Sequence, residues 1–101
     1  MADPRTLSWT APALDDLDDI AAWIARDSPA AAAELVRRVL ERLEPLRAHP
    51  RMGRHVPEAP GSRYRELVVP PCRIMYPREG AALVIVHVVR GEPRPIQGRL
   101  R

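Results

Sequence analysis

Tyr64-Arg65-Glu66-Leu67-Val68-Val69, then Pro70-Pro71, then Cys72-Arg73-Ile74-Met75-Tyr76-Pro77 is the stretch that decides the fold. Here the apolar pattern runs with period two, which is the signature of strands. Tyr64 to Val69 reads as one strand, stopped by Pro70-Pro71. Arg73 to Tyr76 reads as a second, ending at Pro77. Glu79-Gly80 makes a turn, and Ala82 to Val89 follows as a third strand, apolar on both faces over most of its length. A strand of that kind is central and covered. After Gly91, Pro93 and Pro95 forbid much regular pairing.

Upstream the period is helical. Leu14, Leu17, Ile20, Ala21 and Ile24 form one stripe of a helix from Ala13 to Ala25, capped by Thr10 with Pro12 in its first turn. Ser28 caps a second helix that opens on Pro29 and runs to about Glu44. Ala32, Leu35, Val36, Val39, Leu40 and Leu43 form its buried face. Pro45 ends or kinks it. Two amphipathic helices joined by three residues make an antiparallel hairpin. Thr6 to Trp9 is short enough for an edge strand, and residues 45–62, with four prolines and two glycines, read as a long irregular loop. The expected order is β-α-α-β-β-β in a single domain over residues 1–101. Its architecture is α+β, a two-layer sandwich with the helix hairpin packed on a small, mostly antiparallel sheet.

The composition fits one domain. Its 101 residues include ten Leu, nine Val and five Ile, enough for a single core. No apolar run approaches a membrane span, and Met1-Ala2-Asp3-Pro4-Arg5 lacks a signal peptide's apolar core. The one cysteine, Cys72, neither staples the fold nor builds a metal site, so a reduced, cytoplasmic, metal-free and cofactor-free domain is expected. All sixteen basic residues are Arg. Residues 1–34 carry two Arg against seven acids, net −5, and residues 35–101 carry fourteen against six, net +8. The basic part suits phosphates or an acidic protein partner, although a solvated surface carries such charge too.

Few residues suggest chemistry. Asp15, Asp16, Asp18 and Asp19 spread over a helix surface, as solvated residues near a positive helix end do, rather than converging as cation ligands. Trp23 sits beside Asp16 and Asp19, off the apolar stripe. It is either an anchor for a partner or packed on the long loop or second helix. His49 and His55 belong to the loop. His87 shares a strand face with Leu83, Ile85 and Val89, where a histidine packs or serves a site. Cys72 reads as a small hydrophobe. If neighbouring strands pair through short connections, Arg65, Arg73 and Arg90 converge at one rim of the sheet, a guanidinium cluster for phosphate or carboxylate. An RNA-cleaving site would need a base, an acid and a stacking ring as well. Glu66, His87 and Tyr76 are the nearby candidates.

Three segments together resemble the RelE/ParE toxin superfamily. They are Arg65-Glu66-Leu67-Val68-Val69, Arg73-Ile74-Met75-Tyr76, and Val84-Ile85-Val86-His87-Val88-Val89-Arg90-Gly91. Ala13-x-x-Asp16-Leu17-x-x-Ile20-x-x-Trp23-Ile24 and Pro50-x-x-Gly53-Arg54 extend the likeness over nearly the whole chain. The resemblance implies a toxin of a type II toxin–antitoxin system, held in a hetero-oligomer by a cognate antitoxin with an acidic or amphipathic C-terminal segment. ParE-like members poison DNA gyrase without a hydrolytic site. RelE-like members are ribosome-dependent mRNA endoribonucleases that use Lys, Arg and a C-terminal Tyr or His. This chain has no Lys, and residues 95–101 carry neither Tyr nor His, which favours the ParE branch. On that reading Trp23, Arg54, Arg63, Arg65, Arg73, Tyr76 and Arg90 bind target or antitoxin. On the RelE reading Glu66, Arg73 and His87 act as base, phosphate clamp and acid.

Overall fold

A computed structural model describes residues 6–77 and 82–91 of the chain. The Glu79-Gly80 turn and the Pro93 and Pro95 positions lie outside the described residues. The first strand, β1 (Leu7–Trp9), leads into α1 (Ala11–Ala25). The helix starts at Ala11, two residues before the expected Ala13, because Thr10 is extended and its hydroxyl accepts the Ala13 N–H at 3.2 Å. Ser28 caps α2 (Pro29–Leu43) in the same way, accepting the Ala31 N–H at 3.1 Å. Pro45 does not kink α2. The chain tightens into a 3₁₀ turn, Glu44–Arg47, which buries Leu46.

Four strands form an antiparallel sheet in the order β2-β3-β4-β6: β2 (Arg54–His55), β3 (Tyr64–Val69), β4 (Cys72–Pro77) and β6 (His87–Arg90). The hairpin register runs from Tyr64 opposite Pro77 to Val69 opposite Cys72. β5 (Leu83–Ile85) pairs with β1 in parallel. The α+β architecture, with two helices and a mostly antiparallel sheet, is the expected one.

Three local expectations change. The loop of residues 45–62 is not wholly irregular, since it contains the 3₁₀ turn and β2, whose two residues pair with Glu66 and Arg65. The third expected strand is two strands, broken at Val86, whose N–H crosses to Met75 O at 3.0 Å. The break moves the buried face by one residue: Leu83 and Ile85 are buried, then Val88, opposite Ile74. Such a slip turns every later side chain over. Leu14 and Leu40, placed on the helices' buried stripes by period, instead keep about half their surface exposed.

The core lies between the hairpin and one face of the sheet. Ala13 and Leu17 of α1 and Leu35, Val39 and Leu43 of α2 meet Leu67, Val69, Cys72, Ile74 and Tyr76. Each fully buried Leu or Val contributes about 1.5–3 kcal/mol over its exposed state. The opposite face of β3 and β4 carries Glu66 and Arg73 among Val68 and Met75.

Candidate functional site

In an antiparallel pair, residues directly opposite point the same way. Arg54 of β2 therefore lies beside Glu66 of β3 on the face away from the helices, and Arg73 of β4 is on that face too. Glu66 is 1% exposed and divides its carboxylate between two arginines. Oε2 takes Arg54 Nε at 2.8 Å and Nη2 at 2.7 Å. Oε1 takes Arg73 Nε at 2.9 Å and Nη2 at 2.7 Å. The outer side of Arg73 meets Glu58, with Nη1 to Oε2 at 2.6 Å and Nη2 to Oε1 at 2.5 Å. The Glu58 hydrogen bond, with help from Glu66 and against burial, raises the Arg73 pKa further, so this guanidinium stays charged. Glu58 comes from the 56–62 segment, and nothing in its local sequence marks it for this role.

The other face holds Arg65 and Tyr76, opposite one another. Tyr76 is fully buried, and burial pushes its phenol pKa up. Its hydroxyl accepts the Gly53 N–H at 3.0 Å and donates to Pro50 O at 2.8 Å. Arg65 donates from Nη1 to Gly53 O at 2.7 Å, while its buried Nε has no partner. Arg63 is exposed, its guanidinium 5.4 Å from the Tyr64 ring centre. Cys72 is buried, which raises its thiol pKa, as suits the small hydrophobe expected.

The expected convergence of Arg65, Arg73 and Arg90 does not occur. Arg65 stands opposite Tyr76 and Arg90 opposite Cys72, four residues along β4, about 13 Å apart by strand rise. Arg73 points to the opposite face from Arg65 and is consumed by two carboxylates. β3 and β4 pair so that positions 65 and 73 fall on opposite faces, a relation that neither strand's own pattern contains.

Nor do Glu66, Arg73, Tyr76 and His87 gather as base, clamp, stacking ring and acid. Met75 separates Glu66 from His87 in the cross-strand row, which puts them two strand spacings, about 10 Å, apart. Because of the break at Val86, His87 is not packed beside Leu83 and Ile85. Its side chain is 51% exposed, and Nδ1 lies 3.0 Å from Asp16 Oδ2. The same oxygen accepts the Val88 N–H at 3.1 Å. Asp16 is thus no solvated cap residue: it replaces a neighbouring strand at the outer edge of β6. Trp23, two turns along on the same side of α1, also meets β6. The Arg90 guanidinium stacks 3.8 Å from its ring centre, and Trp23 remains 52% exposed. Its ring contact is with Arg90 of β6. Its place beside Asp16 on the helical wheel was the one signal in the sequence for this flank.

Among the described residues no group of three or more His, Cys, Asp or Glu could hold a metal ion. No helix among them is long and apolar enough to cross a membrane.

Residues 7–94 match the profile of a family described as the ParE toxin of type II toxin-antitoxin system, parDE. The chain belongs to the ParE toxin family. A solved structure described as the chromosomal ParDE TA system from P. aeruginosa is similar, with 28% identity and a TM-score of 0.71. The match covers 90% of this chain and all of that one. A search of curated proteins finds no match. The ParE match spans both helices and all six strands, so the whole described fold belongs to the family unit.

Proposed function

We propose that this ParE-family chain acts in the cytoplasm as a binding poison of DNA gyrase and is neutralised by a cognate antitoxin. The observation that carries the first part is the state of Glu66 and Arg73. Both carboxylate oxygens of Glu66 and three nitrogens of Arg73 are engaged inside the protein, behind surfaces that a phosphodiester does not reach. A general base has to be within hydrogen-bond reach of its proton, and a clamp needs free donors. Among the described residues, the flank of α1 and β6 offers a surface to a macromolecular target. There an exposed Trp lies under a guanidinium, a pair of residue types that dominate binding hot spots. Arg54, 49% exposed, and Arg63 extend the basic surface. The family and the similarity to the chromosomal ParDE TA system from P. aeruginosa support the antitoxin as partner.

An in vitro supercoiling assay tests this. Inhibition that rises with toxin and is reversed by antitoxin is expected. Full gyrase activity under a large excess of folded toxin overturns the proposal.

A RelE-like, ribosome-dependent cleavage keeps one supporting observation, the half-exposed His87 beside Asp16. It predicts codon-phased cuts in translated mRNA by primer extension, lost in His87→Ala.

A further inference from the structure

Four arginines from three elements gather around the tip of the β3–β4 hairpin. From α2, Arg38 Nη2 donates to Pro70 O at 2.8 Å, and Arg42 Nη2 makes a long 3.4 Å contact with Val68 O. Arg54 of β2 and Arg90 of β6 line a groove of about 460 Å³ whose walls include Val68, Pro70 and Pro71. Among the described residues its lining holds no carboxylate and no aromatic ring. Cys72, also in the lining, feels two of these charges: burial raises its thiol pKa, and Arg38 and Arg90 draw it back. The charge at the tip is not cancelled. Arg54 pairs with Glu66, and Arg73 with Glu66 and Glu58, so the formal charges of those four residues sum to zero. Arg38 and Arg42 bond uncharged carbonyl oxygens, and Arg90 lies over the Trp23 ring, so these three exposed guanidiniums keep their full charge. The α2 carboxylates Glu34 and Glu41 turn to Arg37 instead.

A guanidinium carries five N–H donors, so Arg38 and Arg42, each held through one nitrogen, still offer most of theirs. The tethers place both side chains beforehand, which lowers the ordering cost of binding. Stacking uses the face of a guanidinium and leaves the in-plane donors of Arg90 available. Interfaces with DNA are far more positively charged than those between proteins. A protein hot spot or a single strand calls for aromatic rings in the groove, and this lining has none among the described residues. We propose that the tip grips the phosphodiester backbone of duplex DNA through Arg38, Arg42 and Arg90, with Arg54 closing the groove. This rests on the gyrase reading and deepens it: the toxin holds the DNA that the enzyme carries as well as the enzyme.

In the test, the full-length toxin is titrated into a fluorescent duplex of about 30 base pairs, and anisotropy is followed from about 50 to 200 mM salt. Each neutralised phosphate adds about 0.9 to the slope of log affinity on log salt. Three contacts therefore give an affinity loss of about fortyfold over this range. Arg38→Ala, Arg42→Ala or Arg90→Ala each makes that factor about 3.5-fold smaller. Arg37→Ala, whose parent side chain pairs with Glu34 and Glu41, leaves it unchanged. Arg38→Lys/Arg42→Lys keeps the charges and so the salt dependence, which separates lost contacts from a damaged fold. Absence of duplex binding at the lowest salt overturns the proposal. So does wild-type salt dependence in the triple Ala variant, shown to be folded by circular dichroism. Equal displacement of the duplex by polyglutamate of matched charge assigns the tip to an acidic protein and overturns it too. Supercoiling is measured in parallel. Inhibition without duplex binding removes the DNA contact and leaves the gyrase reading standing, and duplex binding without inhibition does the reverse.

Discussion

The Tyr76 hydroxyl occupies the space where residue 53 would carry a side chain. A Cβ on Gly53 would overlap that oxygen, and would come within 2.9 Å of Tyr76 Cε1 and 2.8 Å of Glu66 O. Gly53 is not in the left-handed region, so the need here is for room and not for conformational freedom. The close approach lets one phenol hold both Gly53 and Pro50, pinning the start of the loop to the buried face of β4.

Gly53→Ala is therefore expected to destabilise the fold by about 1–3 kcal/mol, the usual cost of overpacking. Tyr76→Phe should cost about 1–2 kcal/mol through its two lost hydrogen bonds. Denaturant unfolding of both single variants and the double should give a double-variant loss smaller than their sum, because removing the hydroxyl removes the principal clash. Strict additivity would mean that the two residues do not meet.

Glu66→Gln should lower stability by about 3–5 kcal/mol, since it strips charge from a buried carboxylate that compensates two guanidinium groups. Glu58→Gln should cost less, because Glu58 is partly exposed and Arg73 retains Glu66. Equal stability of wild type and Glu66→Gln, together with a loss of RNA cleavage, would instead make Glu66 a catalytic base.

Asp16→Ala should cost about 1 kcal/mol by leaving the Val88 N–H without its acceptor, and Asp16→Asn should retain much of that bond. Asp15→Ala and Asp18→Ala, at exposed positions of the same helix, should lie within about 0.5 kcal/mol of wild type. Thermal unfolding of the four variants separates the tether from its acidic neighbours.

Trp23→Ala should leave the melting temperature almost unchanged while weakening gyrase inhibition by about tenfold. An exposed stacked ring contributes little to folding and much to a hot spot. A large stability loss with unaltered inhibition would assign the ring to the fold.

Stability should fall in alkali. Burial raises both the Cys72 thiol above 9.0 and the Tyr76 phenol above 10.0. Their contributions are fully present below those unfolded values. They are lost as pH rises through the folded ones, because the unfolded chain releases its protons first. Cys72→Ala should remove the part of the decline that begins near pH 9, and Tyr76→Phe the part that begins near pH 10. The measurement is denaturant unfolding from pH 8 to 11.

The sequence by itself determined the elements, because caps, prolines and periodicity act within a few residues. Thr10, Ser28 and Pro29 set the helix starts, and the period-two run around Pro70-Pro71 set the β3–β4 hairpin. It also carried the family, since the ordered motifs survive without coordinates. Tertiary structure decided which side chains meet. Val86 breaks a run that reads as one continuous strand, apolar on both faces over most of its length, and so turns His87 outward. The pairing of β3 with β4 puts Arg65 and Arg73 on opposite faces. Glu58, fifteen residues from Arg73, completes a buried ion pair that no local pattern announces. Registry, bulges and long-range charge pairing depend on the relative placement of whole elements, which is set by packing the shared core and not by the preferences of neighbouring residues.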